Sequence, residues 1–479
     1  MEENKNRNIP LCVDLDGTLI ATDTLYESAL LLLKKSPLTA LQLPFWLLGG
    51  KAKLKAHISN RVELNPATLP YKQKVLDYLA NEKQSGRKLA LVTASNQKIA
   101  NAIAEHVGLF DEIISSTDSR NIFGKEKLNT LIETYGERGF DYVGDSSADL
   151  PAFSAARNAI LVDAKASVKR KAKSNGNVSD FIDTQKSKVK VFISEIRVYQ
   201  WVKNILIFIP LLLAHKLFDF ALWGQAFAGF AAFCFCASSV YVLNDMLDLE
   251  SDRHHPTKRN RPLASGRFSI LLALFIVPLF FISGFLLSIY FLPLKFTIIL
   301  AIYIIVTTAY SFHLKKIYIL DIMLLAGLYT IRLLSGALAV EVEISPWLPA
   351  FSMFLFISLA SIKRFTELKM LEANNKSETK GRDYLVADSF LIQNVGIISG
   401  YMAVLVFSLY INSQEVLKLY NHPKLLWGIA PLMLYWVTRI WFLANRGKMH
   451  DDPIFFTVKD PASYFIGLLI LILISGAAL

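Results

Sequence analysis

The sequence has few of the residues from which metal centres and disulfide frameworks are built. Among its 479 residues are only three cysteines, Cys12, Cys234 and Cys236, and their spacing is not typical of a metal site or a disulfide framework. The formal net charge is +11, yet no basic stripe with interleaved aromatic residues is present, so we expect no nucleic-acid partner. The first residues are polar and lack the apolar run of a secretory signal peptide, which predicts a cytoplasmic N-terminal domain.

Charged residues are also scarce in much of the second part of the chain, where long apolar runs replace them. Hydrophobic residues make up 53% of the sequence, and runs long enough to cross a bilayer recur after residue 195. We predict about nine transmembrane helices, at 200–215, 220–243, 269–290, 296–312, 318–340, 346–362, 390–412, 424–443 and 461–479. This pattern indicates an all-α polytopic membrane domain over residues 195–479.

Lysine and arginine residues cluster in alternate connections between these predicted helices. They lie mainly in 244–268, 313–316, 363–389 and 444–459. Since cytoplasmic loops carry an excess of positive charge, we expect these loops on the cytoplasmic side of an inner (plasma) membrane. The orientation agrees with a cytoplasmic N-terminal domain.

Residues 1–165 are instead typical of a soluble α/β domain. Short apolar runs alternate with helical patterns such as 96–107 and 127–135, and the runs lie at 9–13, 88–92, 113–115, 142–143 and 160–162. This alternation predicts a doubly wound parallel sheet with helices on both faces and a functional site at the carboxyl ends of the strands. Residues 166–194, rich in lysine and serine, are predicted to be a basic linker.

A set of polar residues lies at the predicted strand ends and at one helix start. Its members are Asp14, Asp16, Thr93, Lys125 or Lys127, Asp145 and Asp149. In phosphoryl transfer, Asp14 can attack phosphorus, and Asp16 can protonate the leaving group and then activate water. Both residues, with Asp145 and Asp149, offer the carboxylate oxygens that Mg2+ prefers. Thr93 and one lysine can neutralise the phosphoryl oxygens as charge builds.

These motifs, in this order, resemble those of the haloacid dehalogenase-like phosphohydrolases. The resemblance covers roughly residues 9–165, and all four motifs of that family have matches. It implies a helical cap over about 20–87 that selects the substrate. Lys127 is favoured over Lys125 as the family's lysine because it opens the predicted helix directly.

One segment of the predicted cap, 41–51 (LQLPFWLLGGK), is unusually apolar. Two interpretations remain open. The segment is either part of the core of the cap or a surface that dips into the bilayer interface, because tryptophan and lysine flank its apolar residues.

The loop after the second predicted span contains a second acidic motif. Asp245, Asp248 and Asp252 are spaced by three and four residues, which on a helix places them on one face. Three such carboxylates favour bound Mg2+ and a diphosphate over a salt-bridged loop, since carboxylates at a membrane boundary are costly without a function. Nearby groups suited to phosphate oxygens are Asn244, Lys258, Arg259 and Arg261.

Other predicted cytoplasmic ends carry further candidate substrate-binding residues. These are Lys203, Tyr310, Lys315, Asp321, Arg332, Lys363, Arg364 and Glu367. We expect the cations among them to bind phosphate groups.

The N-D-x-x-D-x-x-x-D pattern resembles the UbiA-type intramembrane prenyltransferase superfamily over about residues 195–479. Within it the match is closest to the decaprenyl-phosphate phosphoribosyltransferases, through 200–204 (QWVKN), 252–262, 310–315 and 363–367. One position departs from the prenyl-transferring members, which carry a second D-x-x-x-D motif. Here Asp321 is followed four residues later by Leu325, which puts a prenyl-diphosphate donor in doubt.

Together the resemblances imply a Mg2+-dependent transferase that moves 5-phosphoribose from phosphoribosyl diphosphate to a polyprenyl phosphate. The phosphatase domain is then expected to dephosphorylate the lipid product. One alternative is prenyl transfer to an aromatic or quinone-precursor acceptor, and another is a non-catalytic membrane scaffold. The sequence is compatible with a homo-oligomer.

Overall fold

The chain divides into two compact units in a computed structural model that describes residues 9–175, 177–183, 187–214, 216, 218–374, 382–449 and 452–479. The first unit contains the chain up to Ile196 together with Tyr241–Val277. The second contains Arg197–Val240 and Pro278–Leu479. The segment with the second acidic motif therefore belongs to the same compact unit as the soluble domain, which the boundary expected at residue 195 does not anticipate.

The core of the first unit is a six-stranded, fully parallel sheet. Its strands are β1 (Leu11–Val13), β2 (Leu89–Asn96), β3 (Glu112–Ser116), β4 (Asp141–Gly144), β5 (Ala159–Val162) and β6 (Val178–Ile182), in the order β3-β2-β1-β4-β5-β6. The residues of β1, β4 and β5 are all buried, as expected for short apolar strands covered on both faces. The predicted α/β class is confirmed.

The register of the sheet brings three strand ends together. Val13 of β1 lies opposite Leu91 of β2 and Val143 of β4. The chain order reverses at β1, so β2 and β4 lie on its two sides. In such sheets the crevice at this reversal is where ligands bind. Asp14 and Asp145, which follow β1 and β4, consequently meet at one edge.

Helices connect these strands in the chain, and a last one follows β6. They are α1 (Thr24–Lys35), α2 (Pro37–Ala40), α3 (Leu43–Leu48), α4 (Lys51–Ser59), α5 (Gln73–Gln84), α6 (Gln97–Val107), α7 (Lys125–Tyr135), α8 (Leu150–Ala155), α9 (Ala166–Lys173) and α10 (Lys188–Glu195). The helical patterns predicted at 96–107 and 127–135 correspond to α6 and α7.

The helical cap is shorter than the predicted range of 20–87. Helices α1 to α4 enclose a small core of their own, formed by Leu32, Ala40, Leu54, Ile58 and Val62. Helix α5 instead packs Val75 and Leu79 into the core of the sheet. The apolar face of α5 thus covers the sheet, and the cap ends before this helix.

The stretch predicted to be a linker is largely structured, which corrects that interpretation of 166–194. Helix α9 lies against the sheet through Val168 and Ala172, and β6 pairs with β5. The composition was misleading because β6 is an edge strand in which Ser179 and Asp180 are exposed. Residues 176 and 184–186 of the stretch lie outside the described residues.

The remaining elements are almost entirely helical. They are α11 (Ile209–Leu213), α12 (Phe220–Leu247), α13 (Leu249–His254), α14 (Ile270–Phe291), α15 (Leu294–Phe312), α16 (Leu320–Ala339), α17 (Trp347–Ala373), α18 (Ser389–Ile411), α19 (Gln414–Leu419), α20 (Ile429–Asn445), α21 (Pro453–Thr457) and α22 (Pro461–Ala478). Helices α12 and α14 contribute to both units.

Eight helices among the described residues are long and apolar enough to cross a membrane, or up to nine if a bent pair is one span. That pair is α10 with Val198–Leu213, which are inclined by 50° to each other. The first predicted span, 200–215, is therefore a 3-10 helix, Val198–Phe208, followed by α11, whereas the other predicted spans match long helices. The prediction of about nine transmembrane helices is confirmed, since the described residues contain eight such helices, or nine if the bent pair is one span.

Small residues allow close packing of helices in the second unit. At Gly400 of α18 an added Cβ would lie 2.5 Å from Val437 Cγ1 of α20 and 2.9 Å from Ser358 Oγ of α17. Without a hydrophobic driving force between helices in lipid, such close approach is a main source of helix association.

Candidate active sites

The first candidate site lies at the carboxyl end of β1 and is organised by an ion pair. Asp14 follows β1 directly, and its backbone N–H donates to the carbonyl of Val143 at 3.0 Å. Lys127, in the first turn of α7, places its Nζ 2.7 Å from Asp14 Oδ1 and 3.1 Å from Asp149 Oδ1. The hydroxyl of Tyr142 lies 3.0 Å from the same Nζ. Lys127, rather than the exposed Lys125, thus faces the predicted nucleophile.

Three carboxylates gather at this point. One oxygen each from Asp14, Asp145 and Asp149 lies within 4.8 Å of the others. Asp149 is held by the backbone N–H and the Oγ of Ser146, at 3.1 and 2.8 Å. Gly17 has φ +80°, and an added Cβ there would lie 2.6 Å from Asp145 Oδ2. Glycine at this position therefore leaves space for the Asp145 carboxylate.

Asp16 lies beside this cluster and has different partners. Its Oδ1 accepts from the backbone N–H of Thr24 at 2.7 Å, and its Oδ2 accepts from Ser95 Oγ at 2.7 Å. Asp16 thereby fastens the start of α1, the first helix of the cap, to the end of β2. The structure does not place its carboxylate in the three-carboxylate cluster, although the sequence predicted four ligands.

The charges of the cluster are unbalanced. Burial and the nearby charge of Asp149 together raise the pKa of Asp145 to about 7. Burial also raises the pKa of Asp14 well above its usual value, although Lys127 opposes the change. Burial has the same tendency at Asp149, but Lys127 and the hydrogen bonds from Ser146 more than offset it and lower that pKa. A further cation would relieve the excess negative charge.

Two lysines near this site were not identified from the sequence. Lys55 of α4 donates from Nζ to the carbonyl of Ala94 at 2.5 Å, so a cap residue reaches the end of β2. Lys72, before α5, donates to the carbonyl of Gly17 at 2.5 Å and to Asp163 at 2.8 Å. Neither lysine belongs to a recognisable sequence motif. Both reach the site only through tertiary packing.

The predicted Thr93 is fully buried at the end of β2. Its Oγ1 accepts from the backbone N–H of Ser95 at 3.0 Å. This hydrogen bond stabilises the backbone conformation in which Ser95 lies beside Asp16.

The second candidate site is the acidic motif of α12 and α13. Asp245 and Asp252 are both buried, and a single nitrogen, Nη1 of Arg261, donates to both, at 2.8 and 2.5 Å. Burial raises the pKa of Asp252 above its usual value, although Arg261 opposes the change. The predicted convergence of acidic and basic groups is thus observed for these three residues.

The other predicted members of this motif have more exposed positions. The helix breaks at Asp248, between α12 and α13, and its side chain is exposed. Lys258 Nζ lies 4.0 Å from Asp252, and Arg259 is exposed. Asn244 is half-buried in the last turn of α12. Because the helix breaks at Asp248, the side chain of Asp248 is exposed, whereas those of Asp245 and Asp252 are buried.

Within the second unit, two lysines share one carboxylate. Lys203 and Lys363 donate from Nζ to Asp452 Oδ2 at 2.8 and 3.2 Å. Burial tends to raise the pKa of Asp452, but Lys363 and Lys203 more than offset it and hold that pKa below its usual range. Asp452 was not identified from the sequence because it lies 249 residues after Lys203.

A separate polar cluster surrounds Asp321 at the start of α16. Its Oδ1 accepts from the Tyr310 hydroxyl at 2.6 Å, and its Oδ2 accepts from Arg364 Nε at 2.5 Å. Arg364 also pairs with Glu367, which accepts from Arg382 at 2.7 Å. The four predicted residues of this group are therefore brought together.

The last predicted residues are Arg332 and Lys315. Arg332 is buried in α16 and donates to the side-chain oxygens of Asn204 and Tyr303 at 2.9 and 2.7 Å. Lys315 lies half-buried in the 3-10 turn Leu314–Lys316.

Both parts of the chain match known families. Residues 205–469, more than half of the chain, match the UbiA prenyltransferase family, and residues 11–154 match the haloacid dehalogenase-like hydrolases. Both are families of enzymes. The family and the eight apolar helices among the described residues indicate an integral membrane protein.

The proteins similar to this chain align with different fractions of its length. The uncharacterized protein y4nM of Sinorhizobium fredii is 38% identical over 469 residues, 97% of this chain and 90% of that protein. Nodulation protein NoeC of Azorhizobium caulinodans is 33% identical over 276 residues, 56% of this chain and 86% of that protein. A decaprenyl-phosphate phosphoribosyltransferase of Mycolicibacterium smegmatis is 34% identical over 191 residues, 39% of this chain and 60% of that protein. The chain thus belongs to the UbiA prenyltransferase family and carries a haloacid dehalogenase-like hydrolase domain at its N-terminal end.

Proposed function

We propose that the membrane domain transfers 5-phosphoribose from phosphoribosyl diphosphate to a polyprenyl phosphate, and that the hydrolase domain then removes the 5-phosphate from the lipid product. Similarity to relatives named decaprenyl-phosphate phosphoribosyltransferase supports the first step. The hydrolase domain in the same chain supports the second, because the transferred group carries a phosphate monoester.

The environment of Asp321 is the observation that supports phosphoribosyl diphosphate, rather than a prenyl diphosphate, as the donor. A second acidic motif would need two carboxylates to hold a second metal ion for a prenyl diphosphate. Here Asp321 has no acidic partner four residues later, and its own oxygens accept from Tyr310 and Arg364. Arg364 therefore already balances its charge. This arrangement favours the phosphoribosyl branch over prenyl transfer to an aromatic acceptor.

The acidic motif of the first unit fits Mg2+ and a diphosphate. We assign Asp245, Asp248 and Asp252 to the metal, because buried and exposed carboxylate oxygens together can bind a hydrated Mg2+. Arg261, now shared between Asp245 and Asp252, is suited to oxygens of the leaving diphosphate. A bound metal supplies Lewis acidity for departure of that group.

The lysine pair of the second unit is suited to a phosphate group. Lys203 and Lys363 both donate to Asp452, so an incoming phosphate would meet two lysine charges there. Lysine acts there as a point charge that follows a moving anion. We assign this pair, with Lys315, to the phosphates of donor or acceptor.

In the hydrolase domain we assign the first bond to Asp14. Its Oδ attacks phosphorus, the ester oxygen leaves with a proton from Asp16, and water then hydrolyses the aspartyl-phosphate. Lys127 neutralises the charge on the phosphoryl oxygens and on Asp14. Asp14, Asp145 and Asp149 fit Mg2+, since one oxygen from each of the three carboxylates lies within 4.8 Å of the others, beside Lys127. The metal would supply further charge neutralisation.

We further propose that the hydrolase domain and the acidic motif face the cytoplasm from an inner membrane. The support is the concentration of lysine and arginine in alternate loops of the membrane domain.

The two-step scheme is tested by replacing the hydrolase nucleophile. Full-length protein in nanodiscs would be given Mg2+, polyprenyl phosphate and phosphoribosyl diphosphate, and the lipid products would be separated by mass. With Asp14→Asn we expect undiminished transfer and accumulation of the phosphorylated lipid. Asp77→Asn, an exposed position on α5, is the matched control and should yield the dephosphorylated lipid. Loss of transfer in Asp14→Asn alone, or dephosphorylation that persists in it, would contradict the scheme.

A further inference from the structure

The cap exposes an unusual set of large apolar side chains. Within residues 9–183, as far as they are described, six large hydrophobic side chains are at least half exposed: Leu38, Leu41, Phe45, Leu47, Leu48 and Phe123. Five of the six lie in α2, α3 and the connection between them. Leu38 and Leu48 are 82% and 86% exposed. We call the outer side of Pro37–Leu48 the apolar cap face.

The opposite side of the same segment is fixed to the cap. Ala40 and Leu43 belong to the small cap core, and Trp46 packs there as well. The ring of Trp46 stacks on His57 with centroids 5.1 Å apart, and the Arg61 guanidinium lies 4.7 Å from its centre. Packing on the inner side therefore fixes the orientation of this segment. Its outer residues are exposed although the segment itself is packed against the rest of the cap.

The charges around the apolar cap face have one sign. Between Glu27 and Glu63 the chain has no aspartate or glutamate, whereas it has five lysines and one arginine. Four of the lysines are exposed: Lys34, Lys35, Lys51 and Lys53. Lys51 lies 5.6 Å from the ring centre of the exposed Phe123, which extends the apolar surface. Apolar side chains bordered by lysines match the boundary between acyl chains and anionic headgroups.

The same charges argue against a second copy of the chain as the occupant. A two-fold contact would place this surface against itself and bring the lysines of both copies together. The segment is also too short to span, because twelve residues of helix extend about 18 Å and a hydrocarbon core is about 30 Å thick. A position along the membrane surface fits both its length and its charge.

We propose that the apolar cap face lies in the headgroup region of the bilayer and binds anionic phospholipid. The cap that carries it also borders the hydrolase site, since α1 begins at the Thr24 N–H bound to Asp16 and α4 brings Lys55 to Ala94. A phosphate presented from the membrane surface would therefore meet this site. That last step rests on the proposed function, whereas the membrane contact does not.

The test measures the position of the surface directly. A nitroxide would be attached at Leu48→Cys in full-length protein in nanodiscs that contain phosphatidylglycerol, and its collisions with oxygen and with a water-soluble nickel chelate would be compared. The three native cysteines are buried, so the label should go to the introduced thiol. Ile132→Cys, an exposed apolar position on α7, is the matched control. Leu48 is 86% exposed, so its replacement should leave the fold unchanged.

We expect the label at position 48 to favour oxygen over nickel by several-fold relative to position 132, and the difference to shrink in purely zwitterionic lipid. Equal access to nickel at both positions would overturn the proposal. Broadening of the position-48 spectrum that depends on protein concentration would also overturn it and indicate a second copy. Because the label needs no turnover, each result stands apart from the outcome of the transferase assay.

Discussion

Arg253 of the acidic motif donates hydrogen bonds from both terminal nitrogens to Glu27 of α1, at 3.1 and 2.6 Å. Both side chains are buried. Arg253 Nε also donates to the carbonyl of Ala264 at 2.8 Å, and Glu27 accepts from the Thr22 hydroxyl at 2.7 Å. The first helix of the hydrolase cap and the segment with Asp252 are thus joined inside one compact unit.

Breaking this pair should loosen both segments. Glu27→Ala leaves a buried guanidinium without its carboxylate, which typically costs about 3–5 kcal/mol. We expect faster amide hydrogen exchange in α1 and in α13, measured on the full-length protein in detergent. Asp183→Asn is the control, since the Lys169–Asp183 pair is more exposed and such pairs contribute about 0–1 kcal/mol. Faster exchange in α1 with no change in α13 would show that the pair does not connect them.

Lys127 should be essential to hydrolysis and Lys125 should not. Lys127→Met removes the cation that contacts Asp14 and Asp149, so the rate of hydrolysis of a soluble aryl phosphate should fall by about 10²–10³-fold. Lys125→Met, at the exposed start of the same helix, should leave the rate nearly unchanged. Equal losses in the two variants would contradict the assignment.

The stability of the sheet should decline in acid through Asp141. Burial tends to raise the pKa of Asp141, but Arg157 and Arg87 more than offset it, so the pKa lies below its usual value. Such a group contributes stability that is present above the unfolded pKa of about 3.9 and is lost as the pH falls through the folded pKa. Protection factors of amides in β1 and β4 should therefore decrease below about pH 4.

Asp141→Asn separates this effect from general acid unfolding. The variant should have lower protection at neutral pH, because Arg157 and Arg87 lose their shared partner. It should also lose less protection than the parent protein between neutral and acid pH. An identical decline in both proteins would assign the acid sensitivity to other groups.

The lysine pair should contribute to binding of the phosphorylated donor. We expect Lys203→Met and Lys363→Met each to raise the KM for phosphoribosyl diphosphate by about tenfold, roughly one lost charge-assisted hydrogen bond. Lys369→Met is the control on the same helix, where Lys369 pairs with the exposed Glu372. A comparable rise in KM for the control would remove the support for the pair.

The sequence was sufficient for the parts of the molecule that depend on local pattern. The strand ends at Asp14, Thr93 and Asp145 follow from short apolar runs, and the position of Lys127 follows from the start of α7. The long apolar helices were recognisable by length and composition alone. In each instance the information lies within about twenty residues, which is where periodicity and motif spacing operate.

The features that could not be predicted depend on long-range contacts. Asp452 meets Lys203 across 249 residues, and Glu27 meets Arg253 across 226. The edge strand β6 has the composition of a linker, because Ser179 and Asp180 are polar and exposed. The break at Asp248 separates it from Asp245 and Asp252, although an unbroken helix would place all three on one face.

The most direct test of the central claim follows radiolabelled phosphoribosyl diphosphate into lipid. Full-length protein would be incubated with Mg2+ and polyprenyl phosphate, and the label in the organic phase would be counted. We predict lipid-bound label that is lost in Asp245→Asn and in Asp248→Asn. Absence of label in lipid, together with consumption of a prenyl diphosphate in the presence of an aromatic acceptor, would contradict the account and identify prenyl transfer as the reaction.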